Sequence, residues 1–169
     1  MGSGIFYADK QRNNKGHALR YIYFLRKSQC SSKPMQWFYR WILKRMMLRY
    51  GLEIPWNLKV GKGLYLGHAY NITINPDAVI GKWCNIHKGV TIGRQNRGYR
   101  KGAPTIGDRV WVGVNATVVG KVTIGDDVLI APNAFVNFDV PSHSVVVGNP
   151  AQVHSRENAT EGYVNNTDE

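Results

Sequence analysis

Residues 106–130 read IGDRVWVGVNATVVGKVTIGDDVLI, and aliphatic residues return at every sixth position: Ile106, Val112, Val118, Ile124 and Ile130. Four places after each comes a second small or branched apolar residue: Val110, Ala116, Val122, Val128 and Ala134. A helix repeats near 3.6 residues and a strand at 2, so neither alone gives a period of six. Three short strands per coil do, each hexapeptide supplying one strand and one corner, with branched side chains stacked inward coil upon coil. Working outward, the series extends back through Ile92, Ile86, Ile80, Ile72, Leu66, Val60 and Ile54, and forward to Val136. The expected fold is all-β, a left-handed parallel β-helix of hexapeptide repeats with a short N-terminal α-helical segment.

The phase breaks twice. Two extra residues separate Ile72 from Ile80, around Asn75-Pro76-Asp77, and eight separate Ile92 from Ile106. One repeat is still needed in the second gap to complete a coil, so residues 94–105 are expected to protrude as a loop. Three repeats per coil then put Leu66, Ile86, Ile106 and Ile124 in one column. His68 falls near Lys88, His87 on Gly67, and Glu53 on Asn71. Two histidines, a lysine and a basic loop (Arg94, Arg97, Arg100, Lys101) are thereby predicted to converge on one face.

The charge is lopsided: residues 1–50 hold 11 Lys or Arg and one acid, Asp9, while the remainder is nearly balanced. Three regions follow: a basic, aromatic-rich helical segment (1–51), the coil (52–151) and a polar tail (152–169). Helical spacing predicts helices over His17–Ser28 and Gln36–Tyr50, the second opened by Pro34 and closed by Gly51. Its tryptophans suit either a cap on the open end of the coil or contact with a membrane surface. No signal sequence or long apolar run appears, which leads to a cytoplasmic expectation, with contact at the inner face of the membrane. Cys30 and Cys84 match no metal or redox spacing, and neither a resident metal nor a nucleic-acid partner is expected.

Tyr50–Ile54, Val60–Leu64, His68 and Gly89–Gly93 resemble the serine acetyltransferase branch of the hexapeptide acyltransferases, and Gly148–Ala151 resembles its closing turn. The closer resemblance is to bacterial polysaccharide acetyltransferases of the colanic acid type, over about residues 19–151. It implies a homotrimer that uses acetyl-CoA as co-substrate, with a saccharide hydroxyl as acceptor; L-serine is the alternative acceptor. His68 matches the family's catalytic histidine, a neutral imidazole suited to take a proton from an attacking alcohol. Glu53 stands where serine acetyltransferases carry an aspartate partnered with that histidine. Gly93, Gly113, Val114, Ala131, Pro132 and Asn149 fall at places that hold the CoA arm. His87, Lys88, Arg94 and Arg100 are the candidate acceptor-binding residues. Serine acetyltransferases carry a second histidine near the end of the long loop; Gly102-Ala103-Pro104-Thr105 has none, which favours a saccharide. A zinc enzyme of the γ-carbonic-anhydrase type is the rival on the same coil. It needs three histidines in a spacing that this sequence lacks.

Overall fold

A computed structural model describes residues 2–13, 16–165 and 167. Three helices, α1 (Gly2–Arg12), α2 (His17–Cys30) and α3 (Lys33–Tyr50), precede a coil of about five turns. Three parallel sheets form its sides. The first comprises β1 (Leu52–Glu53), β4 (Ile72–Ile74), β7 (Thr91–Gly93), β10 (Thr117–Val119) and β13 (Phe135–Val136). The second holds β2 (Lys59–Val60), β5 (Val79–Ile80), β8 (Thr105–Ile106) and β11 (Thr123–Ile124). The third runs β3 (Tyr65–Gly67), β6 (Asn85–His87), β9 (Trp111–Val112), β12 (Val128–Ile130) and β14 (Ser144–Val147), and ends on β15 (Gln152–Ser155). This is the left-handed β-helix the period of six predicts. Stacked rungs such as Ile80 on Ile106 and Ile86 on Val112 are almost fully buried, each contributing about 1.5–3 kcal/mol of transfer free energy.

The register corrects the map drawn from spacing. Ile106 lies on Ile80 and Ile124 in the second sheet, whereas the column of Leu66 and Ile86 continues through Val112 and Ile130. The long loop contains no hidden repeat: β7 passes directly to β8 through eight surplus residues. The other break lies elsewhere too. Gly67 pairs with His87, twenty residues on, while Thr73 pairs with Thr91, eighteen on. The two surplus residues therefore belong to the corner His68–Asn71, not to Asn75-Pro76-Asp77. Ile72 is a valid apolar rung, but it pairs with Leu52, and Ile74 is the residue in register with Ile92. Equal spacing on both sides of a corner hides such a shift.

That corner also explains a run of unusual backbone. Gly51, Asn71, Gly89, Asn115 and Asn133 all have positive φ and stack through amide-to-carbonyl bonds, as from Asn71 to Tyr50 and from Asn115 to Lys88. Glycine and asparagine are the residues that enter this left-handed region at least cost.

The first coil is capped by α2. Tyr21, Ile22 and Leu25 are buried in the core, and the Tyr21 hydroxyl hydrogen-bonds with the carbonyls of Leu52 and Ile54. The cap expected from α3 is thus supplied mainly by the weaker-looking helix; α3 buries only Leu43. α1, which spacing did not predict, docks through a buried ion pair, Asp9 with Arg26 at 2.8 Å. The segment read as a polar tail folds back as β15, antiparallel to β14, and then packs on the third sheet.

Candidate active site

His68 opens the enlarged corner between the third sheet and the first. It is exposed and sits at φ 49°, a conformation that favours glycine or asparagine. Histidine is among the side chains that enter this region most readily, and Trp83, Arg109 and His143 hold it too, so what singles His68 out is its exposed ring on the enlarged corner. The corner is pinned from the helical segment: His17 Nε2 donates to the Ala69 carbonyl at 2.9 Å. The His17 ring stacks on Tyr50 with centroids 4.5 Å apart and leans on Tyr70 at 4.6 Å.

One coil on, His87 lies over Gly67 as the spacing predicts, and a methyl group at Gly67 would come within 2.3 Å of its Nδ1. Trp111 packs on its other side, with ring centroids 4.7 Å apart. Its Nε2 is buried and has no hydrogen-bonding partner among the described residues. Burial, and then repulsion from His68, push its pKa below the usual histidine value, so a neutral imidazole is favoured. The Lys88 amide donates to Gly67, which places Lys88 beside His68 as predicted.

His87 also borders a cleft of about 380 Å³ that sequence reasoning missed. Arg12 of α1 reaches its floor, donating to the Gly63 carbonyl, to Asn85 Oδ1 at 2.6 Å and to the Asn165 carbonyl at 2.9 Å. Asn85 Nδ2 donates to the Tyr163 carbonyl at 2.8 Å, and the Tyr163 ring meets Trp111 edge-on at 5.2 Å. Three segments remote in sequence close this cleft. Only Trp111, a large aromatic at an outward repeat position, could have signalled it.

The residues expected to hold CoA divide into two groups. Gly113-Val114 and Ala131-Pro132 continue the edge that carries Gly67-His68 and His87-Lys88, since the Gly113 amide donates to Ile130 and the Asn133 amide to Val114. Asn149 follows β14 in the turn beyond this edge. Gly93 ends β7 at the opposite border of the first sheet, where the loop leaves the coil. Arg94 there is held by Asp77 at 2.5 Å, and Arg100 approaches Asp139 at 3.8 Å. Within one chain the basic loop therefore does not converge on His68, contrary to the reading from spacing: the two flank opposite edges of one sheet. Glu53 pairs with Thr73 rather than Asn71, is exposed, and makes no side-chain hydrogen bond to His68 among the described residues. The surplus corner residues shift it by two places.

Among the described residues no three His, Cys, Asp or Glu side chains are grouped to hold a metal ion. The Cys84 thiol is buried and its pKa is pushed up to about 12, so it is no nucleophile at neutral pH.

The repeats at residues 103–137 match the model of the bacterial transferase hexapeptide (six repeats). Over those residues the coil is similar to the hexapeptide-repeat transferases. Among curated relatives, a Helicobacter pylori protein named serine acetyltransferase is 38% identical over 107 residues, 63% of either chain. A Mycobacterium tuberculosis protein of the same name is 39% identical over 103 residues, 61% of this chain and 45% of that one. The matched stretch thus spans less than two thirds of either relative. A crystal structure of Neisseria gonorrhoeae serine acetyltransferase in complex with serine superposes with a TM-score of 0.71 at 29% identity, covering 91% of this chain and 69% of that one.

Proposed function

We propose that this protein is an acetyl-CoA-dependent O-acetyltransferase in which His68 is the general base. The observation that carries the reading is the corner enlarged by two residues, which holds an exposed histidine in a left-handed conformation beside a second, neutral histidine. His68 removes the proton as a substrate hydroxyl oxygen attacks the thioester carbonyl. Main-chain amides stabilise the oxyanion, and the CoA thiolate leaves and takes up the proton. Gly113, Val114, Ala131, Pro132 and Asn149 are proposed to hold the CoA arm along the edge that continues from His68. Glu53 is not hydrogen-bonded to the base, so an orienting role for it rests on the family resemblance alone.

The relatives named serine acetyltransferase favour L-serine as acceptor, and so cysteine biosynthesis, over a saccharide. A saccharide hydroxyl is retained as the second reading on one observation: the loop position expected to carry a second histidine is occupied by Gly102-Ala103-Pro104-Thr105. A homotrimer, inferred from the resemblance, would give the basic loop a place in the site. His68 and the loop border opposite edges of one sheet, so a neighbouring copy could bring its Gly93, Arg94 and Arg100 to the His68 edge. A cytoplasmic location is part of this proposal.

The test is thiol release from acetyl-CoA with L-serine, compared with nucleotide sugars and oligosaccharides. Saturable turnover of L-serine is expected; turnover confined to saccharides would move the assignment to the second reading. His68→Ala should lower turnover about a hundred- to ten-thousand-fold while acetyl-CoA still binds. Undiminished turnover in that variant would remove His68 from the mechanism.

A further inference from the structure

Helix α3 turns an apolar stripe toward solvent rather than toward the core. Trp37 is 69% exposed, Trp41 57% and Leu48 76%. At about 100° per residue these three positions fall within roughly 40° of one another on the helix. Lys44 borders the stripe on one side, Arg45 and Arg49 on the other, with exposed Phe38 between those two arginines. Arg40 and Arg45 lie over the Trp37 and Trp41 rings at 5.1 and 5.3 Å, bringing positive charge to the aromatic faces. The helix holds five cations and no acid, and the sole acid of residues 1–50, Asp9, is buried against Arg26.

A second copy of the chain and a lipid surface could each cover such a stripe. Two copies laid stripe to stripe would set five cations against the same five with no anion between them, and like-charge juxtaposition costs several kcal/mol. An anionic bilayer offers apolar depth for the stripe and counter-charge for its borders. We propose that α3 docks on the surface of an anionic lipid bilayer. Trp37, Trp41 and Leu48 enter the interface, and Lys44, Arg45 and Arg49 meet headgroups. No helix among the described residues is long and apolar enough to cross a membrane, so the contact is peripheral. This surface is independent of the acetyl acceptor, and its test reads binding rather than turnover.

The full chain is sedimented with vesicles of phosphatidylcholine alone and of phosphatidylcholine mixed with phosphatidylglycerol, at low and high salt. Binding is expected only to the mixed vesicles, weakened by salt, with tryptophan emission shifted to the blue. Each cation at such a surface contributes about fivefold in partitioning, so Arg45→Gln with Arg49→Gln should weaken binding about 25-fold. Trp37→Ser with Trp41→Ser should remove the emission shift. These side chains are exposed, and circular dichroism with thermal melting checks that the variants remain folded. A folded wild type that ignores mixed vesicles overturns the proposal, as does binding that both variants retain. Light scattering that shows α3-dependent self-association, lost in the tryptophan variant and with no vesicle binding, would assign the stripe to a second copy instead.

Discussion

A methyl group at position 67 would stand 2.3 Å from His87 Nδ1 and 3.0 Å from its Cγ, so glycine there is what lets the imidazole lie flat over the neighbouring coil. Gly67→Ala should displace the ring and cost about 1–3 kcal/mol in denaturant titration, as overpacking of tight contacts does. Thiol release should fall with it while acetyl-CoA binding is kept. The same packing fixes a sign with pH. Burial first, and His68 second, lower the His87 pKa in the folded protein. Folding therefore resists its protonation, and the stability it contributes is present above the ordinary histidine value of about 6.5. It is lost as pH falls through the lower folded value. In NMR titration His87 should protonate below the ordinary histidine range, and His87→Gln should flatten the acid limb of stability near that pH. A His87 midpoint above the ordinary value would contradict the packing described.

Among the elements, the C-terminal segment shows why some order was legible and some was not. The coil's rungs announce themselves because apolar side chains repeat in register. Residues 156–165 are held instead by polar contacts, with the Asp127 carboxylate at Ala159 and Thr160, Asn85 at Tyr163 and Arg12 at Asn165, and nothing in their spacing reveals it. Burial alone would raise the Asp127 pKa, but the Thr160 hydroxyl and amide, His143 and the Ala159 amide hydrogen-bond it and hold it below the usual carboxylate range. The stability this gives is present above the unfolded aspartate value of about 3.9 and is lost as pH falls through the lower folded value. Asp127→Ala should cost about 3 kcal/mol and free the segment that closes the His87 cleft, seen as faster proteolysis beyond Ser155. A resistant segment would show that β15 and the contacts of Asn85, Arg12 and Trp111 suffice to anchor it. For a related reason α1 escaped notice: its docking rests on Asp9 and Arg12, buried polar residues that read as surface in a sequence. The corner at His68–Asn71 was misplaced because Ile72 keeps step with Leu66 by number although it pairs with Leu52. The candidate base was legible all the same, since its identity rests on the residue and its context. Its distance from Glu53 and from the basic loop rests on register and was not.

For the whole molecule, a coil of stacked turns is nearly one-dimensional: each turn contacts only its neighbours, so a damaged end unravels locally before the middle does. The vulnerable end carries His68, because β1 to β3 form the first turn and the His68 corner follows directly. Ile22 and Leu25 of α2 close that end, and both are fully buried. Ile22→Ala or Leu25→Ala should each cost about 2–5 kcal/mol. The loss should be uneven: hydrogen exchange should quicken in β1 to β4 while β9 to β12 keep their protection. Because His17 of the same helix holds the Ala69 carbonyl, these variants should lose acetyl transfer under conditions where the Gly113–Pro132 edge still binds acetyl-CoA. Tyr21→Phe removes only the hydroxyl contacts with Leu52 and Ile54, and should give a milder form of the same pattern, about 1–2 kcal/mol. Exchange that rose evenly over all turns would mean that the coil unfolds as one unit. The cap would then stabilise the molecule without separately governing the His68 corner.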